Sequence, residues 1–223
     1  MTERAQQPAR ADGIGICILA GGEATRLPGK LFLAAGDVPM LVRVYRNVSP
    51  GRETWISTKG ALPAEIDAAL AAPMVVDRWT RRGPLSGLLS TMSEMRTEWV
   101  FACAGDAPFV DAAFVDRLAV HVADTADATG GAGLEAVVPA HDQAGRRIEP
   151  LAALYRREAF LREGLPVLLG GDGALRLVID RLRTKFVPVP EDERALANVN
   201  TPQDYAALRP ALTGSGSPPA VSA

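Results

Sequence analysis

Along the chain, short apolar runs alternate with stretches whose apolar residues recur every three or four positions. Ile14 to Ala20 (IGICILA) contains no polar side chain and stops at glycines, the pattern of a strand buried on both faces. Glu53–Ser57, Met74–Asp77, Trp99–Ala104, Ala136–Pro139 and Leu151–Tyr155 read as further strands. Between and after them, Met40–Val48, Pro63–Ala72, Leu85–Met95, Ala112–Val122, Ala174–Leu182 and Pro202–Leu208 read as helices. The segment PAEIDAALAA opens on proline, carries Glu65 in its first turn and spaces Ile66 and Leu70 four apart, all features of a short amphipathic helix. Strands separated by helices of this length predict crossover units, hence a three-layer Rossmann-like α/β fold whose mostly parallel sheet carries helices on both faces. Ligands of such sheets lie beyond the C-terminal ends of the strands, so the residues just after each strand are where chemistry is expected.

Composition narrows the picture. The chain has 223 residues, 48% hydrophobic and 22% charged, which is enough to bury a core without staples. Residues 1–13 lack periodicity and 211–223 are rich in small residues and proline, so both are expected to be disordered tails around a single domain over 14–210. A formal charge of −2 argues against a general nucleic-acid binder. Cys17 and Cys103 sit in apolar runs without partners at metal-ligand spacing, which excludes a disulfide framework and a zinc site. No apolar run approaches the ~18 residues of a membrane span, and the N-terminus has no signal pattern, so a cytoplasmic location is expected.

Four clusters follow strands. In LAGGEATRLPGK (Leu19–Lys30), Gly21 and Gly22 allow close backbone approach, so exposed N–H groups could cradle phosphate oxygens, with Arg26 and Lys30 adding charge. This is neither the P-loop pattern G-x-x-x-x-G-K-S/T nor a dinucleotide G-x-G-x-x-G, which from Gly13 and Gly15 would meet Ile18; a glycine-rich surface turn is the plain alternative. RRGPLSG opens a helix through Pro84 and Leu85 to Gly87, where N–H groups favour an anion or a base carbonyl; upstream, Asp77 could accept from a base or ribose, or lie at the surface. ACAGDAPFV sets Asp106 at a strand tip, suited to Mg²⁺, which takes one or two carboxylates and fills its shell with water and phosphate oxygens. Asp111 reads as a helix cap and Asp116 as a surface carboxylate. In ANVNTPQDY, Asn200 and Thr201 before Pro202 read as a helix opening, with a place beside Asp106 also open to Asn200. His121 and His141 have no visible metal partner, and no Ser-His-Asp triad is present. Arg146 and Arg147 are solvated or reach an anionic substrate.

LAGG with its Arg and Lys, GPLSG, GDAPFV, IEPLAALY and NVNTP, in this order from about Ile16 to Tyr205, resemble the molybdenum cofactor guanylyltransferases. These are nucleotidyltransferases with a nucleotide-diphospho-sugar transferase type of fold. The family moves GMP from GTP to the phosphate of molybdopterin and releases pyrophosphate. Carried over by position, the resemblance implies nucleotide binding by Leu19, Ala20, Gly21, Gly22, Arg26 and Lys30, with Asp77, Pro84, Leu85 and Gly87 on the guanine or ribose side. Asp106 would hold Mg²⁺ and act in catalysis with Arg26 and Lys30, while Asn198 and Asn200 would face the acceptor. GPLSG stands where related cytidylyltransferases carry a serine-rich G-x-S-x-S element, which implies GTP. RLPGK is shorter than the family's R-M-G-x-D-K, and IEP replaces a DHP-like segment. GTP, molybdopterin and transient contact with molybdoenzyme maturation proteins are the implied partners. A same-fold enzyme using CTP or another small acceptor, and a non-catalytic nucleotide-binding homologue, are the competing readings.

Overall fold

A computed structural model describes residues 13–21, 26–79, 83–123, 133–142 and 144–213. The chain order is β1 (Ile14–Leu19), β2 (Ala34–Ala35), β3 (Val38–Pro39), α1 (Met40–Val48), β4 (Thr54–Thr58), α2 (Ala64–Ala69), β5 (Met74–Val76), α3 (Pro84–Met92), β6 (Trp99–Ala104), α4 (Ala112–Ala123), β7 (Ala136–Ala140), β8 (Ala152–Arg156), α5 (Arg157–Leu169), α6 (Leu175–Ile179), β9 (Thr184–Pro188) and α7 (Pro202–Leu212). Seven strands form the main sheet in the order β5-β4-β1-β6-β8-β7-β9, and β2 pairs with β3 in a small hairpin. β8 runs antiparallel to both neighbours and the other pairings in the main sheet are parallel. The sheet is therefore mostly parallel, as the sequence predicts, with one reversed strand where a hairpin loop, not a helix, joins β7 to β8.

Strand alternation divides the core in two. Ile14, Ile16 and Ile18 of β1 face α1, α2 and α4 through Leu41, Ile66, Phe114 and Leu118. Cys17, the intervening β1 residue, faces α3, α5 and α6 through Leu88, Leu89, Phe160 and Val178. That two-sided burial is why β1 reads as an unbroken apolar run. Burial pushes the Cys17 thiol up to about 12 and Cys103 well above its ordinary value, so both stay protonated packing residues.

The short hairpin strands β2 and β3 and two longer elements escape the periodicity. α5 (REAFLREGLPVLL) carries Gly164 and Pro166 inside it, both helix breakers by propensity, yet it buries Phe160, Val167 and Leu168. Tertiary burial outweighs propensity there. β9 is an edge strand with no fully buried residue, and its Pro188 is tolerated because an edge leaves one row of N–H groups unpaired. The helix expected over 174–182 is only Leu175–Ile179. α7 continues to Leu212, past the expected domain end at 210, and most of both expected tails lies outside the described residues. No helix among the described residues is long and apolar enough to cross a membrane.

Candidate nucleotide site

The parallel strands all end on one edge of the sheet, so the loops after β1, β4, β5, β6, β7 and β9 meet there. The turn after β1 is tied to both neighbours. The Ala20 N–H donates to the Ser57 carbonyl at 2.7 Å, and the Gly105 N–H donates to the Leu19 carbonyl at 2.9 Å. A Cβ on Gly21 would stand 2.9 Å from Lys59 Cγ and 3.1 Å from the Lys59 nitrogen, so glycine relieves crowding where the turn crosses the end of β4. Gly22 lies outside the described residues. Arg26 is exposed.

At the centre, Lys30, Asp106 and Asn200 converge from three loops. The Lys30 ammonium pairs with the Asp106 carboxylate, the two side chains being 15% and 12% exposed. The same ammonium donates to Asn200 Oδ1 at 2.9 Å. Backbone contacts set this geometry: the Val199 N–H donates to the Asp106 carbonyl at 3.0 Å, and the Asn200 N–H donates to Asp204 Oδ2 at 2.9 Å. Asp204 also completes the capping box that starts α7 at Thr201, so the expected helix opening is observed, and the same carboxylate holds the backbone that brings Asn200 to Lys30. Asn198 is half-buried on the same segment.

These donors suit a hard divalent cation. A carboxylate oxygen and an amide oxygen already share one positive group, and a magnesium-like ion needs only a few protein oxygens besides phosphates and water. Among the described residues no group of three or more His, Cys, Asp or Glu could hold a metal, so a protein-only cage is not built here.

The side toward α3 differs from the sequence reading. Asp77 is neither at the surface nor open to a ligand: its side chain is 2% exposed. It pairs with Lys59 and accepts from the Ser86 hydroxyl, from Ser90 Oγ at 3.4 Å and from the Trp79 N–H at 3.2 Å. It therefore clamps the start of α3 to β5 and holds Lys59 at the rim. Lys59 belongs to none of the four sequence clusters, yet it is a cation at this same edge, placed directly after the parallel strand β4. Pro84 is half-buried at the first helical position of α3. Leu85 is fully buried, so its side chain belongs to the core and only its backbone is left for a ligand. Gly87 is also buried; a Cβ there would strike Ser57 and Leu19, so it serves helix–sheet packing and not the open edge.

Other expectations resolve simply. Asp111 caps α4, accepting from the Phe114 N–H at 2.8 Å, and Asp116 pairs with Arg52 at 2.6 Å. Arg147 forks onto Glu191 at 2.9 and 2.8 Å, so it straps the β7–β8 loop to the segment after β9. His141 sits beside Glu149 at 3.1 Å in that loop.

Comparison with known proteins agrees with this architecture. A family model described as MobA-like NTP transferase domain matches residues 16–185. The molybdenum cofactor guanylyltransferase of Vibrio cholerae is 27% identical over 192 residues, spanning 85% of this chain and 88% of the relative. That of Cupriavidus metallidurans is 30% identical over 202 residues, spanning 85% of this chain and 91% of the relative. Molybdopterin-guanine dinucleotide biosynthesis protein A from Archaeoglobus fulgidus shares the fold with a TM-score of 0.71 at 22% identity, covering 90% of this chain and 99% of that one. CMP:2-keto-3-deoxy-manno-octonic acid synthetase complexed with CTP shares it at 0.64 and 17%, covering 90% and 98%. Fold alone therefore does not select the base.

Proposed function

The chain belongs to the MobA-like NTP transferase family and is a nucleotidyltransferase, and from that premise we propose that it moves GMP from GTP to the phosphate of molybdopterin, releasing pyrophosphate. The convergence of Lys30, Asp106 and Asn200 at the strand tips carries this reading. The guanylyltransferase relatives cover most of the chain, and GPLSG at the start of α3 favours GTP.

The triphosphate would lie along the turn after β1, with Arg26 and Lys30 against its oxygens. Lys59 and the start of α3 would face the base and ribose. The acceptor would enter from the Asn198–Asn200 side. Its phosphate is already ionised near neutral pH, so no protein base is needed, in keeping with a site core that has no histidine. An acceptor phosphate oxygen attacks the α-phosphorus, a new P–O bond forms, the α–β bridging P–O bond breaks, and pyrophosphate leaves with its charge. Lys30 and Arg26 offset charge on the α-phosphate and on the leaving group. Asp106 and Asn200 would hold a divalent cation, Mg²⁺ by preference; when bound it neutralises phosphate charge and orients the oxygens.

Mass spectrometry of products from the purified chain, Mg²⁺, molybdopterin and either GTP or CTP tests the reading. Molybdopterin-guanine dinucleotide and pyrophosphate from GTP alone are expected. Product from CTP in place of GTP would reassign the base. Nucleotide binding without pyrophosphate release would make the chain a non-catalytic binder.

A further inference from the structure

Lys30 stands where a metal would stand. Its ammonium touches the Asp106 carboxylate and the Asn200 amide oxygen at once, and those two oxygens are the donors assigned to the divalent cation. We propose that Lys30 is the resident cation of the metal position in the nucleotide-free enzyme, and that divalent metal gains the position only when nucleotide phosphates draw the ammonium off. This rests on the reading of Asp106 and Asn200 as metal donors.

The two oxygens sit on short side chains whose backbones are anchored, whereas the ammonium comes in on a long stem. Asp106 is held through its own carbonyl by Val199, Val199 is wholly buried, and the Asn200 backbone is held by Asp204. Lys30 instead reaches the site on a four-carbon stem, from the first residue of the 3₁₀ turn Lys30–Phe32, a turn that buries no residue. An ammonium and a divalent ion cannot share one pair of oxygens, because each repels the other at contact distance. A triphosphate changes that balance. It offers Lys30 several anionic oxygens close to the glycine turn, and it supplies the ligands that the metal lacks from the protein. Metal and nucleotide are therefore bound as a pair, and metal alone is kept out.

Mn²⁺ binding to the full chain without nucleotide, followed by electron paramagnetic resonance, tests the exchange. If the ammonium holds the site about 90% of the time, it lowers apparent metal affinity about tenfold, so Lys30→Met is expected to bind Mn²⁺ about tenfold or more tightly than the unaltered chain. Lys30→Arg keeps a cation in place and is expected to stay weak. Lys59→Met removes an equal charge from the same edge without freeing Asp106 and is also expected to stay weak. Asp106→Asn added to Lys30→Met is expected to abolish the gain. Equal Mn²⁺ affinity in the unaltered chain and Lys30→Met overturns the proposal, as does an equal gain in Lys59→Met. Absence of Mn²⁺ binding in Lys30→Met overturns it too. A repeat with GTP then separates the two ideas: Asp106-dependent Mn²⁺ binding keeps the site reading while the exchange fails, and its absence removes both. A second measurement needs no variant. The ¹⁵N resonance of the Lys30 ammonium is expected to move on adding a non-hydrolysable GTP analogue without metal, and to stay put with Mg²⁺ alone; movement with Mg²⁺ alone overturns the exchange.

Discussion

Gly87 of α3 lies so close to Ser57 of β4 that a Cβ on the glycine would stand 2.6 Å from Ser57 Oγ, and 2.8 Å from Leu19 Cδ2. Leu19 and Ser57 end or nearly end the strands whose loops carry the glycine turn and Lys59. The absence of one carbon thus lets α3 come this near to the sheet, and with it places the helix start beside the ends of β1 and β4. Gly87→Ala is expected to cost about 1–3 kcal/mol through overpacking. Ser57→Ala removes the nearer clash, so the double variant should recover part of that loss, read as a positive coupling in a double-mutant cycle of urea unfolding. Strict additivity would show that Ser57 does not limit the approach.

Asp77 gives a second separation of scaffold from site. Its carboxylate is turned inward and serves Lys59, Ser86, Ser90 and the Trp79 N–H. Asp77→Ala leaves several donors without their acceptor and is expected to destabilise the fold by about 1–3 kcal/mol. Weaker GTP binding should accompany it, because Lys59 and the α3 start lose their common anchor. Urea midpoints and nucleotide titration read the two effects. Lost GTP affinity with an unchanged midpoint would instead make Asp77 a direct ligand of the base or ribose.

What the sequence reveals depends on whether a residue's role is local. β1 and β6 are legible because burial on both faces removes every polar side chain from the run. Asp106 is legible because a carboxylate at the end of such a run has no packing reason to be there. α5 is not legible, since Gly164 and Pro166 break its pattern and only contact with the sheet and its neighbours makes it a helix. The inward turn of Asp77 is equally hidden, because its partners Ser86 and Ser90 come from the next helix. Nor does the NVNTP motif announce that Asn200 reaches Lys30, a contact spanning most of the chain.

Far from the site, Glu135 makes stability depend on pH. Burial alone would raise its pKa, but hydrogen bonds from the Arg162 side chain and the Arg183 N–H, with the charges of both guanidinium groups, hold it below the ordinary value of 4.5. The guanidinium contacts are each 2.9 Å, and Glu135 joins the start of β7 to α5 and β9. A depressed folded-state pKa contributes stability that is full above the unfolded value and is lost as pH falls through the folded one. Glu135→Gln is therefore expected to lower the urea midpoint at pH 7, by a margin that shrinks once pH drops below about 4.5. A margin constant from pH 7 to pH 3 would mean that Glu135 acts by packing and not by charge.

The catalytic weight placed on Asp106 can be isolated from its place in the fold. Its backbone carbonyl receives the Val199 N–H, and its side chain meets Lys30 at the partly open strand edge. Asp106→Asn keeps the backbone contact and nearly the same volume, so the fold and the urea midpoint should change little. The lost negative charge leaves Lys30 without its ion-pair partner and the divalent cation with two neutral oxygens. Removing one such electrostatic contact commonly costs about 3–4 kcal/mol, or about 10²–10³ in rate. Turnover of GTP with molybdopterin and Mg²⁺ is expected to fall by at least that factor, with the loss mainly in kcat because the proposed contacts of Arg26 and the glycine turn to the nucleotide would be untouched by the substitution. A variant that folds normally and keeps nearly full kcat would remove Asp106 from the chemistry and leave it a turn residue at the end of β6.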